Sequence, residues 1–188
     1  RVPFFETTHQ QGHIAAGCIG LPPLDERFLA LHLSGGTTEL LLCENGRLRL
    51  VGGSMDLHAG QMVDRVGVRL GLRFPAGPEL EKLAMSCTEP TEALLPASLE
   101  KDACYCHLSG AETKAAQLWE KQACSPERIA AETFDLLART VSRMLAAGCK
   151  RYQVRQALVV GGVVVLLAMV VVLMLGYVTL TDVSGSVS

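Results

Sequence analysis

Apolar and polar residues alternate with different periods along the chain, and the changes of period divide it into predicted strands and helices. Two apolar runs flank a Ser-Gly-Gly turn at 34–36, and a third follows the hairpin signal Glu44-Asn45-Gly46. Gly52-Gly53 is expected to break the sheet after the third run. A fourth, valine-rich run lies much later in the chain. The predicted strands cover residues 28–33, 38–43, 48–51 and 157–160.

Between these runs, apolar residues recur at helical spacing. Pro78 stands well at the first position of one helix, and Ser109 with Glu112 has the spacing of a capping box. Gly148 is expected to end the longest helix, while residues 86–107 are predicted to be irregular. The predicted helices cover residues 9–19, 57–72, 78–85, 109–124 and 125–148. The order of elements predicts an α/β fold.

One predicted helix, over 57–72, carries a stripe of small residues at Gly60, Gly67 and Gly71, with Asp64 among them. Small residues at helical spacing let another backbone or a ligand approach closely. The carboxylate within this stripe is a candidate ligand-binding group.

Residues 158–178 form 21 consecutive uncharged positions, preceded by Lys150, Arg151 and Arg155. Their length and hydropathy fit a membrane-spanning helix with residues 1–150 in the cytosol. Nine valines fit a buried strand and further core structure equally well, so both interpretations stay open. We expect a domain over 1–157, this apolar segment, and a polar tail over 179–188.

Composition and charge narrow the picture only in part. Hydrophobic residues make up 49% of the chain and charged residues 19%, which favours a packed core. A net charge of -2 gives no general attraction to nucleic acid, so an RNA substrate would need a local patch or a partner protein. Seven scattered cysteines without a C-x-x-C pair favour a reducing cytosol. A chain opening on Arg1 instead of Met is expected to be a fragment.

His9 and His13 stand four positions apart, which places both imidazoles on one face of the first predicted helix. Such a pair can share a metal ion, but zinc or iron requires a third protein ligand. Taken alone, the pair is a candidate metal site, with solvent-exposed or core histidines as the alternative.

Two further patterns indicate a nucleotide. Glycines in the Ser34-Gly35-Gly36 turn can direct backbone amides towards an anion, as in the hairpins of actin-like nucleotide-binding folds. Asp64 could accept hydrogen bonds from ribose, Gly77 could lie close to a nucleoside, and Glu81 is one helical turn further on. A plain turn, a solvated acid, a loop glycine and a helix-start acid remain the alternatives.

Taken together, these motifs occur in a specific order. H-x-x-x-H is followed by L-S-G-G-T-T-E-L and then by D-R-V-G-V-R-L-G-L-R-F-P-A-G-P-E. Over residues 9–84 this order resembles the tRNA threonylcarbamoyladenosine synthase family, once called glycoproteases. Weaker similarity continues through Ser109-Gly110-Ala111-Glu112 to the Gly161-Gly162-Val163 segment.

The resemblance implies an α/β chain that is part of the actin-like, ribonuclease-H-like fold, with a mixed sheet and packed helices. It implies a divalent metal, iron or zinc, on His9 and His13, and ATP or threonylcarbamoyl-adenylate as ligand. Transfer of the threonylcarbamoyl group to N6 of adenine at tRNA position 37 is the implied activity. tRNA would be reached through partner proteins of a cytoplasmic modification complex. By the same resemblance, the acyl-adenylate site comprises His32, Leu33, Ser34, Gly35 and Gly36, and the nucleoside site comprises Asp64, Gly77 and Glu81.

The chain also departs from the family. Thr37 stands where His or Asn is usual, and the family's third metal ligand, an Asp downstream of the Gly161-Gly162 turn, has no counterpart. A tightly held ion would therefore point to another ligand, such as His107 or Glu39. Three functions stay open: the transferase, inactive in this chain if the missing ligand is essential; a non-catalytic nucleotide-binding or scaffolding paralogue, with or without a membrane tether; and a metal-dependent glycoprotease.

Overall fold

A computed structural model describes residues 8–162 of the chain. Within this range strands and helices follow the order expected from the sequence, with two further short strands. The strands are β1 (Arg27–Leu33), β2 (Thr38–Glu44), β3 (Arg47–Ser54), β4 (Ser98–Leu99), β5 (Tyr105–His107) and β6 (Ala157–Val160). The helices are α1 (His9–Gly17), α2 (Ala59–Arg69), α3 (Gly77–Met85), α4 (Ser109–Glu120) and α5 (Pro126–Tyr152).

The described strands form one mixed sheet in the order β4-β5-β3-β2-β1-β6. β1, β2 and β3 form an antiparallel meander, because short hairpin turns join them. β6 adds in parallel beside β1, with Val160 opposite His32, and β5 pairs in parallel with the end of β3. The predicted α/β class with a mixed sheet and packed helices is confirmed.

The two faces of the sheet carry different amounts of structure. The larger core includes Leu29, Leu31 and Leu40 of the sheet together with apolar residues of α2, α4 and α5. The opposite face carries a small cluster in which Ile14 of α1 contacts residues of β1, β2 and β6. We call this second side the α1 face.

The long connection between α3 and β4 is fixed to α5 by one buried acid. Glu132 is fully buried and accepts hydrogen bonds from the amides of Glu92 (2.7 Å) and Leu94 (2.8 Å). Arg128, which is also buried, pairs with Glu132 at 3.2 Å and with Glu89 at 3.0 Å. A buried carboxylate is tolerated here because donors surround it.

Two glycine predictions are wrong for the same physical reason. Gly148 does not end α5, which continues to Tyr152 and is capped by Gln153 in the left-handed conformation. A Cβ at Gly148 would lie 2.8 Å from Leu29 Cδ1, so this glycine allows the helix to pack closely on the sheet. Gly52 and Gly53 belong to β3, and a Cβ on Gly52 would meet the Cys104 carbonyl oxygen at 2.1 Å. Both positions serve close packing instead of termination.

The capping box predicted from Ser109 and Glu112 is also wrong, because Ser109 is the first residue of α4 and not its N-cap. Its N-cap is Leu108, and the Ser109 hydroxyl donates to Asp56 instead of capping its own helix. Asp56 also accepts the amides of Leu108 (2.8 Å) and Ser109 (3.3 Å). A carboxylate from the loop before α2 therefore caps α4.

Residues 86–107 are not wholly irregular, since β4 and β5 lie within them. At the other end, Leu158, Val159 and Val160 lie in β6, which fits the strand interpretation of the apolar segment and is incompatible with a helix starting at Leu158. The remainder of that segment, 163–178, and the tail over 179–188 lie outside the described residues. Between residues 8 and 162, every helix is too short or too polar to cross a bilayer.

Candidate functional site

The Ser-Gly-Gly turn joins β1 to β2 at one end of the sheet. The Ser34 amide donates to the Thr37 carbonyl at 2.8 Å and closes the turn. Among residues 8–162, no partner accepts a hydrogen bond from the amides of Gly35 and Gly36. A Cβ on either glycine would have no heavy atom within 4 Å, so the turn is open on that side. Unpaired amides beside open space are suited to an anion.

Helix α2 begins directly against this turn. The Ala59 amide donates to Thr38 Oγ1 at 2.8 Å, and the Gly60 amide donates to the Ser34 carbonyl at 3.3 Å. A Cβ at Gly60 would lie 2.6 Å from both Gly35 Cα and the Ser34 oxygen. The glycine of the predicted stripe thus allows backbone contact, and the helix N-terminus adds positive potential next to the turn.

A cleft of about 850 Å³ opens between the turn and α2. Gly35 and Asp64, predicted from separate motifs, both line it. Its apolar wall includes Phe74 and Val68, which are 76% and 48% exposed. The other lining residues are Gln61, Arg65, Arg69 and Glu112.

Asp64 has a structural partner on one side of its carboxylate. Its Oδ1 accepts the Ala76 amide at 2.7 Å, which fixes the loop between α2 and α3. No described group bonds its other oxygen. Gly77 is buried at the start of α3, and Glu81 lies one turn further on; neither lines the cleft. The structure therefore brings Asp64, but not Glu81, to the Ser-Gly-Gly turn.

The histidine pair lies on the α1 face. Thr8 caps α1 by accepting the Gln11 amide at 3.2 Å, and the Thr8 amide donates to Gln11 Oε1 at 2.8 Å. This T-x-x-Q capping box is a sequence signal for the start of α1 that the prediction of the helix did not include. His9 Nε2 and His13 Nε2 are 3.0 Å apart, so the predicted convergence of the two imidazoles is observed.

His32 and Leu33 do not line the cleft. Leu33 is fully buried in the larger core, whereas His32 points to the opposite side of the strand, towards α1. The His32 ring centroid lies 4.6 Å from that of His13 and 6.2 Å from that of His9. Burial, together with the neighbouring His13, lowers the pKa of His32, and Glu39 opposes this shift. His32 is therefore part of the histidine cluster.

The metal prediction has a partial structural basis. Within residues 8–162, no three His, Cys, Asp or Glu side chains are already arranged to hold an ion. Of the suggested third ligands, His107 bonds Glu100 at 2.7 Å. Glu39 is the cross-strand partner of His32 and lies on the same side of the sheet.

Sequence reasoning missed several cleft residues. Phe74 precedes Pro75 in the segment 74–77, of which only Gly77 was predicted to bind a ligand. No role was predicted for Arg65. Arg69 lies 3.1 Å from Glu120 and 3.7 Å from Glu112, which links α2 to α4 along the cleft. An exposed aromatic residue next to a predicted ligand turn is the signal that could have identified Phe74.

The solved structures that match this chain are only distantly similar to it. Component A of the Acidaminococcus fermentans (R)-2-hydroxyglutaryl-CoA dehydratase is 15% identical, with a TM-score of 0.48, covering 79% of this chain and 52% of that one. The activator of the Clostridium difficile 2-hydroxyisocaproyl-CoA dehydratase, with bound ADPNP, is 18% identical with a TM-score of 0.49, covering 84% and 55%.

Sequence relatives are more informative. The enzyme called tRNA N6-adenosine threonylcarbamoyltransferase in Thermus thermophilus is 43% identical over 121 residues, 63% of this chain and 36% of that protein. The protein of the same name in Symbiobacterium thermophilum is 34% identical over 173 residues, and that of Enterococcus faecalis 33% over 171. These two alignments cover 86% and 87% of this chain and 48% of each relative.

This chain thus spans between a third and a half of the length of these relatives. The model of the tRNA N6-adenosine threonylcarbamoyltransferase family matches residues 1–170, most of the chain. The motifs that carried the resemblance, the histidine pair, the Ser-Gly-Gly turn and the acid-bearing helix, all lie within this match. The chain belongs to the tRNA N6-adenosine threonylcarbamoyltransferase family.

Proposed function

We propose that the chain provides the acyl-adenylate site of a tRNA threonylcarbamoyltransferase. The observation that carries the proposal is the convergence of the open Gly35 turn and Asp64 on one cleft. Family membership supports this transferase over a scaffolding paralogue or a glycoprotease. The substrate would be threonylcarbamoyl-adenylate, and the acceptor would be N6 of adenine at tRNA position 37.

In this proposal each wall of the cleft binds a different part of the adenylate. The free amides of Gly35 and Gly36 would donate to the phosphate. Phe74 and Val68 would cover one face of the adenine ring, since exposed aromatic side chains stack on bases. The second carboxylate oxygen of Asp64 would accept a ribose hydroxyl, while the first keeps the Ala76 amide.

The chemistry follows from these contacts. N6 of the adenine at tRNA position 37 attacks the carbonyl carbon of the mixed anhydride in threonylcarbamoyl-adenylate. The bond from that carbon to the phosphate oxygen breaks, and N6 loses a proton. AMP leaves with additional negative charge on its phosphate. The amides of the turn and the N-terminus of α2 would stabilise that charge as it develops.

His9 and His13 fit two ligands of a divalent metal, because their Nε2 atoms already face each other at 3.0 Å. When bound, iron or zinc would supply Lewis acidity towards the acyl-phosphate end of the substrate. His9 and His13 would hold the ion beside β1, the strand that leads into the Ser-Gly-Gly turn. The further subunits of a tRNA-modification complex would supply contacts to tRNA, since the net charge of this chain is -2.

Because the proposed substrate is tRNA, we expect the reaction to take place in the cytoplasm. The alternative, a membrane anchor over 158–178 with residues 1–150 in the cytosol, starts with residues that form β6. Fractionation of cells expressing the chain, followed by a carbonate wash, distinguishes the two. Recovery in the carbonate-resistant membrane pellet would contradict the cytoplasmic proposal.

The nucleotide site is tested by titrating ATP and threonylcarbamoyl-adenylate into the purified chain in a calorimeter. Asp64→Asn keeps an oxygen for the Ala76 amide and removes the second acceptor, so we expect binding to weaken by roughly 1–3 kcal/mol without loss of fold. Asp25→Asn is the matched control, because it makes the same change at an exposed acid outside the cleft.

Equal affinity in Asp64→Asn and wild type would contradict the assignment of Asp64. No binding of either nucleotide by the folded wild-type chain would contradict the site as a whole. Transfer to tRNA is then measured with the partner proteins of the modification complex present. Nucleotide binding without any transfer would favour the scaffolding paralogue.

A further inference from the structure

Three imidazoles, not two, lie together on the α1 face. His9 and His13 come from α1, with their Nε2 atoms 3.0 Å apart, and His32 comes from β1. The three pairs of ring centroids are 4.5, 4.6 and 6.2 Å apart. The sheet and the helix thus bring side chains 19 and 23 positions apart in sequence into one cluster.

His32 is the unusual member of this cluster. It is 1% exposed, and within the part of the chain that the structure describes neither Nδ1 nor Nε2 has a hydrogen-bond partner. Buried polar atoms in folded proteins are almost always paired, because an unpaired one loses its hydration without compensation. The neighbouring positions of this face, such as Ala30 and Val160, are apolar. A buried imidazole among them therefore needs a partner that the described protein atoms do not provide.

The surroundings indicate what that partner is. Three imidazoles offer nitrogen lone pairs, which zinc and iron(II) accept readily. The cross-strand neighbour of His32 is Glu39, a half-buried acid on the same side of the sheet. A carboxylate close to the cluster favours a cation there.

We propose that His32 is the third protein ligand of a divalent metal ion held by His9 and His13. The inference rests on the metal site of the proposed function and extends its donor set from two imidazoles to three. Three protein ligands leave a coordination position open for a substrate oxygen, as catalytic zinc sites require.

The three side chains are not yet converged on a single point among the described residues. Binding therefore requires the side chains to rotate towards a common point. α1 and β1 already hold the three ring centroids within 6.2 Å of one another.

The test uses the full 188-residue chain and cobalt(II) as a spectroscopic probe, followed by competition with zinc. We expect one ion per chain and the visible absorption of a four- or five-coordinate cobalt(II) ion. His32→Leu, a replacement suited to a buried position, removes a direct ligand. It should therefore reduce cobalt affinity by at least the roughly 10–100-fold that loss of an outer-shell partner costs, and it should alter that spectrum. His9→Ala should do the same. His107→Gln is the matched control, because His107 bonds Glu100 away from the cluster and its loss should leave affinity unchanged.

Two outcomes overturn the inference in different ways. Wild-type affinity and spectrum in His32→Leu, with loss of binding in His9→Ala, would leave the metal on the pair and remove His32 from it. A folded wild-type chain that binds neither cobalt nor zinc would remove the metal from the proposed function as well, while ATP titration tests the nucleotide cleft separately.

Should His32→Leu fail to fold, the wild-type chain decides the question by nitrogen NMR of its imidazoles. Zinc coordination shifts the resonance of the ligating ring nitrogen. A shift at His32 in step with those of His9 and His13 supports the three-histidine site, and an unmoved His32 resonance overturns it.

Discussion

Asp56 is the residue with the most concentrated set of contacts in the loop between β3 and α2. Burial would raise the pKa of its carboxyl. The hydroxyl of Ser109 and the amides of Leu108, Leu57 and Ser109 outweigh that effect and lower the pKa from 3.8 to about 2. One side chain thereby caps α4 and fixes the start of the loop that leads to α2.

The sign of this shift predicts a pH dependence. A carboxyl with a lower pKa in the folded state stabilises the protein above its unfolded pKa of 3.8, and this stability is lost as pH falls through about 2. We expect Asp56→Asn to lower the free energy of unfolding by about 1 kcal/mol at pH 7, with a smaller difference near pH 2. Denaturant unfolding at several pH values measures it.

Asp25→Asn again serves as the control, because its side chain is exposed and makes no described hydrogen bond. It should leave the free energy of unfolding within about 0.5 kcal/mol of wild type. An Asp56→Asn effect that stays constant from pH 7 to pH 2 would contradict the role of the charge.

At the scale of elements, the contact between α2 and the Ser-Gly-Gly turn determines the shape of the cleft. Thr38, the first residue of β2, holds the start of α2, and Gly60 lies against backbone atoms of the turn. Backbone cannot move aside as the end of a flexible side chain can. The element that provides Asp64 is therefore positioned by the turn that carries the unpaired amides of Gly35 and Gly36.

We expect Gly60→Ala to cost about 1–3 kcal/mol of folding stability, because its methyl group would overlap Gly35 and Ser34. Nucleotide affinity should fall in the same variant, since α2 must move away from the turn. Thermal unfolding with and without ATP measures both effects.

Gly110→Ala is the matched control in a helix. Gly110 lies in α4, and the methyl group of an alanine there would have no atom within 4 Å, so this change should stabilise the fold by about 0.5–1 kcal/mol. A neutral or stabilising Gly60→Ala would show that the turn and α2 are not in close contact.

At the scale of the whole molecule, the main feature is that one face of the sheet carries much more buried apolar structure than the other. The larger core joins α2, α4 and α5 to the sheet, whereas Ile14 is the only buried residue of α1. The element that carries His9 and His13 is thus attached by little apolar area. We expect α1 to open locally at a lower free energy than the rest of the fold.

Two truncations of buried side chains test this difference. Leu136→Ala, in the larger core, should lower the global free energy of unfolding by about 2–5 kcal/mol and speed amide exchange throughout the sheet. Ile14→Ala should speed exchange mainly in α1 and have a smaller global effect. Hydrogen exchange read residue by residue distinguishes the two, and equal acceleration in α1 and α5 caused by Ile14→Ala would contradict separate opening.

Several features were predictable because they depend on local chemistry. The hairpin turns at 34–36 and at Asn45-Gly46, and the start of α5 after Ser125, follow from short-range rules of turns and caps. The functions of Gly148 and Gly52 were not predictable in this way. Each is explained by an atom of a distant residue, which a local rule for glycine does not include.

By itself, the sequence determined the order of the longer strands and of the helices, the α/β class and the family. It also determined the facing pair His9 and His13, since spacing along a helix is enough to place both rings together. Only the tertiary structure decided which separated residues meet: Asp64 with Gly35 in a cleft, Asp56 with α4, and His32 with the histidine pair. In β1, the side chains of His32 and Leu33 point to opposite faces of the sheet, because successive side chains of a strand alternate. Which face of the sheet receives α1 is set by packing between distant segments, and local pattern does not specify it.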